Sequence, residues 1–225
     1  MYKDLQAIRG KFYIHRLIEE GEHEHQDFKF KISDARKIAR SISAFSNNDG
    51  GRLLVGVKDN GVVAGIRSEE DLHVIEAAAQ IYCRPAVEVE MSTYLCEGGA
   101  VVLRASIPRA VRRPVECREE DGSWRAYFRV ADENIAAHPL MVKAWRLIET
   151  PDAPVSVTYS SAEAELVNAL RRRGTATPEQ LMLDMHLSSR IAEDMIVRLT
   201  AIGVIGFRFV KHGFLLSVNN DEEIS

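Results

Sequence analysis

Two prolines in Pro151-Asp152-Ala153-Pro154 set the strongest limit on how this chain folds. Proline fixes φ and removes a backbone donor, so neither a helix nor a central strand runs through the segment. The patterning also changes there, so the 225 residues read as two domains, 1–150 and 155–220, joined by a linker at 151–154. Each part is long enough to bury a core. An acidic tail follows at 221–225.

Composition narrows the class. There are 29 Lys and Arg against 33 Asp and Glu, with 46% hydrophobic residues. That is the balance of a globular chain, not of a disordered or collagen-like one. No run approaches the ~18 apolar residues of a membrane span. The first residues lack the apolar core of a secretory leader, so the expected compartment is the cytoplasm. Cys83, Cys96 and Cys117 are an odd set without a C-x-x-C pair, which fits reduced thiols and no zinc ribbon. The net charge of −4 advertises no nucleic-acid partner, but a local basic groove matters more than the sum.

In the first part, apolar spacing predicts a helix over 1–21 with Gly21 as its stop. Strict alternation over 26–32 predicts a half-buried strand, and Ser33 is placed to cap a helix over 34–45. A hairpin is expected from 53–57 onto 62–66, then a helix over 71–82 and strands at 87–91, 101–107 and 125–130. Hairpins and segregated helices together make the fold class α+β. In the second part, helices capped by Ser161, Thr177-Pro178 and Ser188 precede two strands at 204–210 and 214–218. Three helices and a hairpin form the layout of a winged helix-turn-helix.

The densest polar constellation is Glu22-His23-Glu24-His25-Gln26-Asp27 with Lys29 behind it. In a regular strand His23, His25, Asp27 and Lys29 share one face. With Glu22 and with Asp59 from a different strand end, three carboxylates could converge on a hard cation such as Mg²⁺ or Mn²⁺. From spacing alone the same residues read first as solvated charges at a strand end. Asn48-Asp49-Gly50-Gly51 is either a tight turn or a set of bare N–H groups able to approach a phosphate.

An ordered series of motifs resembles the Schlafen-like AlbA_2 domain. It comprises Glu22-x4-Asp27-Phe28-Lys29, then Ala44-Phe45-Ser46-Asn47-Asn48-Asp49-Gly50-Gly51, then Gly56-Val57-Lys58-Asp59-Asn60-Gly61. Arg113-Pro114 and Tyr127-Phe128-Arg129-Val130-Ala131-Asp132-Glu133-Asn134 extend it to about residues 10–138. The resemblance implies a mixed-sheet, nucleic-acid-binding domain, often followed by a winged helix. In animal Schlafens a related domain cleaves tRNA and rRNA with three carboxylates and a metal. By motif position those fall on Glu22, Asp27 and Asp59, with Lys29 as a phosphate contact. Asp27 stands where the pattern has Glu, and Gln26 where it has an apolar residue. No G-x-x-x-x-G-K-[ST] loop is present to hold ATP.

The phosphate-binding candidates are Lys31, Arg52, Arg109, Arg112, Arg113 and Arg129, with 109–113 the most concentrated run. Arg190 opens the would-be recognition helix, but Glu193 and Asp194 follow it, and residues from 155 onward carry 7 basic against 9 acidic groups. That module could read DNA or form a homodimer. The expectation is a DNA- or RNA-binding protein with a regulatory role in transcription. The alternatives are a metal-dependent endoribonuclease and a non-catalytic interaction module.

Overall fold

The computed structural model describes residues 7–66, 68–148, 160–211 and 213–219. They form two units, Met1–Ala137 and His138–Ser225.

In the first unit, β1 (Ile8–Arg9) leads into α1 (Lys11–Glu20), which stops at Gly21 as the sequence predicts, after starting ten residues later than expected. Then come β2 (Gln26–Lys29), α2 (Ala35–Asn47), β3 (Gly51–Val55), α3 (Glu70–Gln80), β4 (Cys83–Arg84), β5 (Glu90–Leu95) and β6 (Val101–Ile107). The unit closes with β7 (Glu116–Arg118), β8 (Trp124–Val130) and β9 (Glu133–Ala136). One sheet has the order β1-β5-β6-β3-β2, with β1–β5 and β2–β3 parallel. A second, antiparallel sheet has the order β4-β7-β8-β9. The mixture is α+β.

The first sheet is covered on both faces. Ile14 and Leu17 of α1 pack with Phe28, Leu54 and Val102 on one side, while Ile38, Ile42 and Phe45 of α2 pack with Leu53, Val55 and Leu103 on the other. The alternation in β2 therefore predicts too much exposure, because Gln26, Asp27 and Phe28 are all buried. The cap of α2 is Asp34, not Ser33, since its carboxylate accepts from Arg36 N–H at 2.9 Å. Helix α2 lies between the two sheets, and even its Ser41, Ser43, Ser46 and Asn47 are buried. Ser43 Oγ donates to Val115 O at 2.7 Å and accepts from Tyr127 N–H at 3.0 Å.

The hairpin expected over 53–66 does not form. Both sides of β3 are taken, by β2 and β6, so the chain after Val55 cannot pair alongside it. Gly56 turns at φ +93°, a conformation and a closeness (2.7 Å from an added Cβ to Gly65 C) that exclude other residues. Its carbonyl accepts from Ala64 and Gly65, and Val57 bridges only Val63.

Below α2, Arg40 and Tyr127 both donate to Glu119, the tyrosine at 2.7 Å. Burial pushes the Glu119 carboxyl up, but the two hydrogen bonds outweigh it and leave it below its ordinary value. A carboxyl lowered by folding stabilises the protein above the unfolded carboxylate range, and that contribution is lost as pH falls through the folded value. Glu119→Gln should therefore flatten the acid limb of stability against pH, read by urea unfolding at several pH values. An unchanged acid limb would refute this.

The second unit contains α4 (Pro139–Ile148), α5 (Ser161–Arg173), α6 (Pro178–Asp184), α7 (Ser189–Ala201) and the hairpin of β10 (Ile205–Val210) and β11 (Gly213–Val218). Ser160, one residue before the expected cap, closes a capping box with Glu163, and Thr177 does so with Gln180. Leu140 of α4 joins Met195, Ile196 and Leu199 of α7 in this unit's core. The division thus falls before α4, at Ala137, and not at residue 150. The proposed linker 151–154 lies outside the described residues. No helix among those residues is long and apolar enough to cross a membrane.

Candidate nucleic-acid interface

The arginine-rich run lies in the loop between β6 and β7, and the end of α2 holds it at both sides. Ala110 N–H donates to Ser46 O at 2.9 Å at the near side. At the far side the Asn47 carboxamide accepts from Val115 N–H at 2.8 Å and donates to Val115 O and Tyr127 O at 2.9 and 2.7 Å. Arg113 donates to Asn47 O at 3.2 Å, so it is partly a strut. Arg109, just before the near anchor, and Arg112, between the two anchors, are exposed, and Val111 is 96% exposed. Arg109 meets Asp49 at 2.9 Å, a surface pair worth only about 0–1 kcal/mol and easily exchanged for a phosphate.

The turn at Asn48-Asp49-Gly50-Gly51 is structural. Asn48 N–H donates to Ala44 O, and Gly50 N–H to Phe45 O, so these groups do not await a phosphate. Gly50 sits at φ +80° with Ile107 O only 2.8 Å from an added Cβ. Asn48 exchanges hydrogen bonds with both backbone groups of Arg129.

Two of the three candidate carboxylates meet. Asp27 on β2 is buried, with its Oδ2 2.7 Å from Lys29 Nζ and 3.8 Å from Arg129 Nη1. Glu22 accepts from Phe28 N–H at 2.8 Å. Burial first, then a hydrogen bond with Asp27, raises the Glu22 carboxyl above its ordinary value, against the pull of Phe28 N–H and Lys29. Asp59 is exposed in the turn after β3. Among the described residues no group of three His, Cys, Asp or Glu side chains gathers closely enough for a metal ion. Asp27 is occupied by cations and Glu22 by a backbone donor, so this arrangement does not fit Mg²⁺ or Mn²⁺.

The remaining candidates divide. Arg129 is fully buried, donating to His23 O, Asp132 O and Asn134 Oδ1 and stacking on Phe45 at 4.6 Å. It cannot touch a phosphate, which corrects its reading as a nucleic-acid contact. Arg52 is committed to Gln26 Oε1 at 2.6 Å and to Glu20. Lys31 is exposed beside Phe30, with Lys58 on the same ring. Arg190 is exposed at the start of α7, and Glu193 pairs with Lys143 at 2.8 Å. The sequence reading missed Asn47, Phe30 and Lys58. For Asn47 the available signal was a second asparagine next to a turn that needs one cap.

Residues 22–138 match the family model described as Schlafen, AlbA_2. The chain belongs to this family. The AlbA_2 domain holds the anchored arginine loop and the Glu22–Asp27 pair and ends within a residue of the division between the units. Among solved structures, the DIP2311 protein from Corynebacterium diphtheriae is similar at 19% identity and a TM-score of 0.43. That likeness covers 85% of this chain and 34% of the other, so this chain spans about a third of that protein's length. No curated protein matches the sequence.

Proposed function

We propose that the protein binds nucleic acid and grips phosphates with the loop 109–113 of its AlbA_2 domain. The observation that carries this is the combination of rigid anchors and exposed arginines. A loop fixed by Ser46 and Asn47 presents Arg109 and Arg112 with little ordering left to lose on binding. Family membership supports a nucleic-acid-related role. The binding reading is preferred to the endoribonuclease because among the described residues no three His, Cys, Asp or Glu side chains gather closely enough for a metal ion.

We also read the second unit as a winged helix, from the order α5-α6-α7 followed by β10-β11. Lys143 offsets Glu193, which removes part of the acidic objection to α7 as a DNA-reading helix. On this reading the protein is a transcriptional regulator and Arg190→Ala weakens duplex binding. If α7 pairs two copies instead, that substitution leaves duplex binding unchanged.

The main test is binding against salt. Arg109→Ala with Arg112→Ala should weaken binding to RNA and DNA and reduce the log–log salt slope by roughly 2, about one per lost phosphate contact. Arg113 is left in place because it holds Asn47 O. An unchanged slope would remove this loop from the interface.

A further inference from the structure

At the end of β3 away from the arginine loop, Phe30 follows β2 and is 37% exposed. Strands β2 and β3 run parallel, with Lys29 opposite Val55, so the chain leaves both at the same edge. Gly56 N–H donates to Lys29 O at 2.8 Å and prolongs that ladder by one bond. The two exits therefore stand side by side and bring Lys31 Nζ and Lys58 Nζ to 5.1 and 5.3 Å from the centre of the Phe30 ring. Lys58 is held in place by a turn in which its N–H donates to Val62 O and its carbonyl accepts from Gly61 N–H. Lys29, one residue from the ring, is about one-third exposed.

A lone exposed phenylalanine would mean little. Here the ring has two ammonium groups on it, and among the described residues neither is paired to a carboxylate in the way that Lys29 is to Asp27. An ammonium over a phenyl ring gains only about 0.5–1 kcal/mol at an exposed site, so a better ligand displaces it readily. A nucleotide supplies both replacements: its base takes the ring face, and its phosphate takes the released ammonium. In a duplex the base faces are stacked on one another. Only an unpaired base offers its face to a side chain.

We infer that Phe30, Lys31 and Lys58 form a base-stacking platform that makes single-stranded nucleic acid the preferred ligand of this domain. This rests on the nucleic-acid reading above and names its substrate class. Along the sheet, the five residues of β3 separate the platform from the arginine loop by roughly 13 Å at about 3.3 Å per residue. One strand that reaches both must therefore span several nucleotides, and the shortest oligonucleotides reach only one of them.

The experiment is fluorescence anisotropy with 12-nucleotide oligouridine and oligothymidine and with a hairpin duplex, for wild type, Phe30→Leu, Phe30→Trp and Lys58→Ala. Wild type should prefer the single strands. Phe30→Leu should cost roughly 10-fold on single strands with an unchanged salt slope, and little on duplex. Phe30→Trp should keep the affinity and should quench 2-aminopurine placed in the oligonucleotide. Lys58→Ala should lower the salt slope by about one. Single-strand affinity that survives Phe30→Leu overturns the platform, as does equal loss on both ligands. If Arg109→Ala with Arg112→Ala still weakens binding in that case, the phosphate-gripping reading stands without the platform. Wild type that binds none of the three ligands overturns both.

Discussion

Replacing Arg129 with methionine should destabilise the protein by about 3–5 kcal/mol, which is the range for removing one partner from a buried charged network. The guanidinium has no exposed surface and donates to four groups from two segments: His23 O at 3.2 Å and Gln26 O at 3.4 Å in one, Asp132 O at 3.0 Å and Asn134 Oδ1 at 3.0 Å in the other. It also stands 3.8 Å from Asp27 and lies on the Phe45 ring. Methionine fills some of that volume but donates nothing, so Asn134 Oδ1 and Asp132 O lose this donor, while His23 O and Gln26 O keep their backbone bonds to each other's residues. Asp27 keeps only Lys29 as a counter-charge. Arg129→Lys should retain most of the loss, because one ammonium cannot reach acceptors spread around a planar fork. Adding Asp27→Asn to Arg129→Met should recover part of the stability by removing the uncompensated charge. Urea unfolding with an unchanged m-value measures all three, and a loss below about 1 kcal/mol for Arg129→Met would show that the network holds without its centre.

Arg129 also shows where sequence reading stops. Its neighbours Tyr127, Phe128 and Val130 identify the strand, and alternation allows an arginine on either face. Only the second sheet, packed on α2, turns that face inward. The alternation over β2 was legible as a strand, but the layer covering its polar side comes from residues about a hundred positions later. Gln26 was legible only as an irregularity. In the fold it donates to Leu17 O and Gly21 O and accepts from Arg52, closing the end of α1 against the sheet. The cap of α6 at Thr177 was legible because its geometry is local, while that of α5 was placed one residue late, at Ser161 instead of Ser160. The domain division was not, since α4 joins the second unit through Leu140 on a surface that α7 supplies. In the candidate site, the arginine run was visible as a run, whereas the sequence read Glu22, Asp27 and Asp59 as one cluster, and among the described residues no such group of three gathers closely enough for a metal ion.

Asn47→Ala should cost about 2–4 kcal/mol and should loosen the arginine loop selectively. The carboxamide is 2% exposed and both its donors are used, on Val115 O and Tyr127 O. Its oxygen accepts from Val115 N–H, and alanine leaves that N–H buried without a partner. Val115 O keeps Ser43 Oγ, so the whole network is not lost. Asn47→Asp should do no better, since it keeps the acceptor but turns a carboxylate toward two carbonyl oxygens. The functional consequence follows from position. Val115 is the far anchor of loop 109–113, while the near anchor at Ser46 O is a backbone bond that the substitution does not touch. The far end would then be held by Arg113 on Asn47 O and by Ser43 on Val115 O, and Arg112 would have more freedom to lose at each binding event. Hydrogen exchange at Val115 N–H should accelerate by more than the global loss of stability accounts for, and phosphate affinity should fall with the salt slope preserved. If exchange at Val115 merely follows global unfolding, Asn47 serves the core alone and the loop owes its rigidity to Ser46 and Arg113.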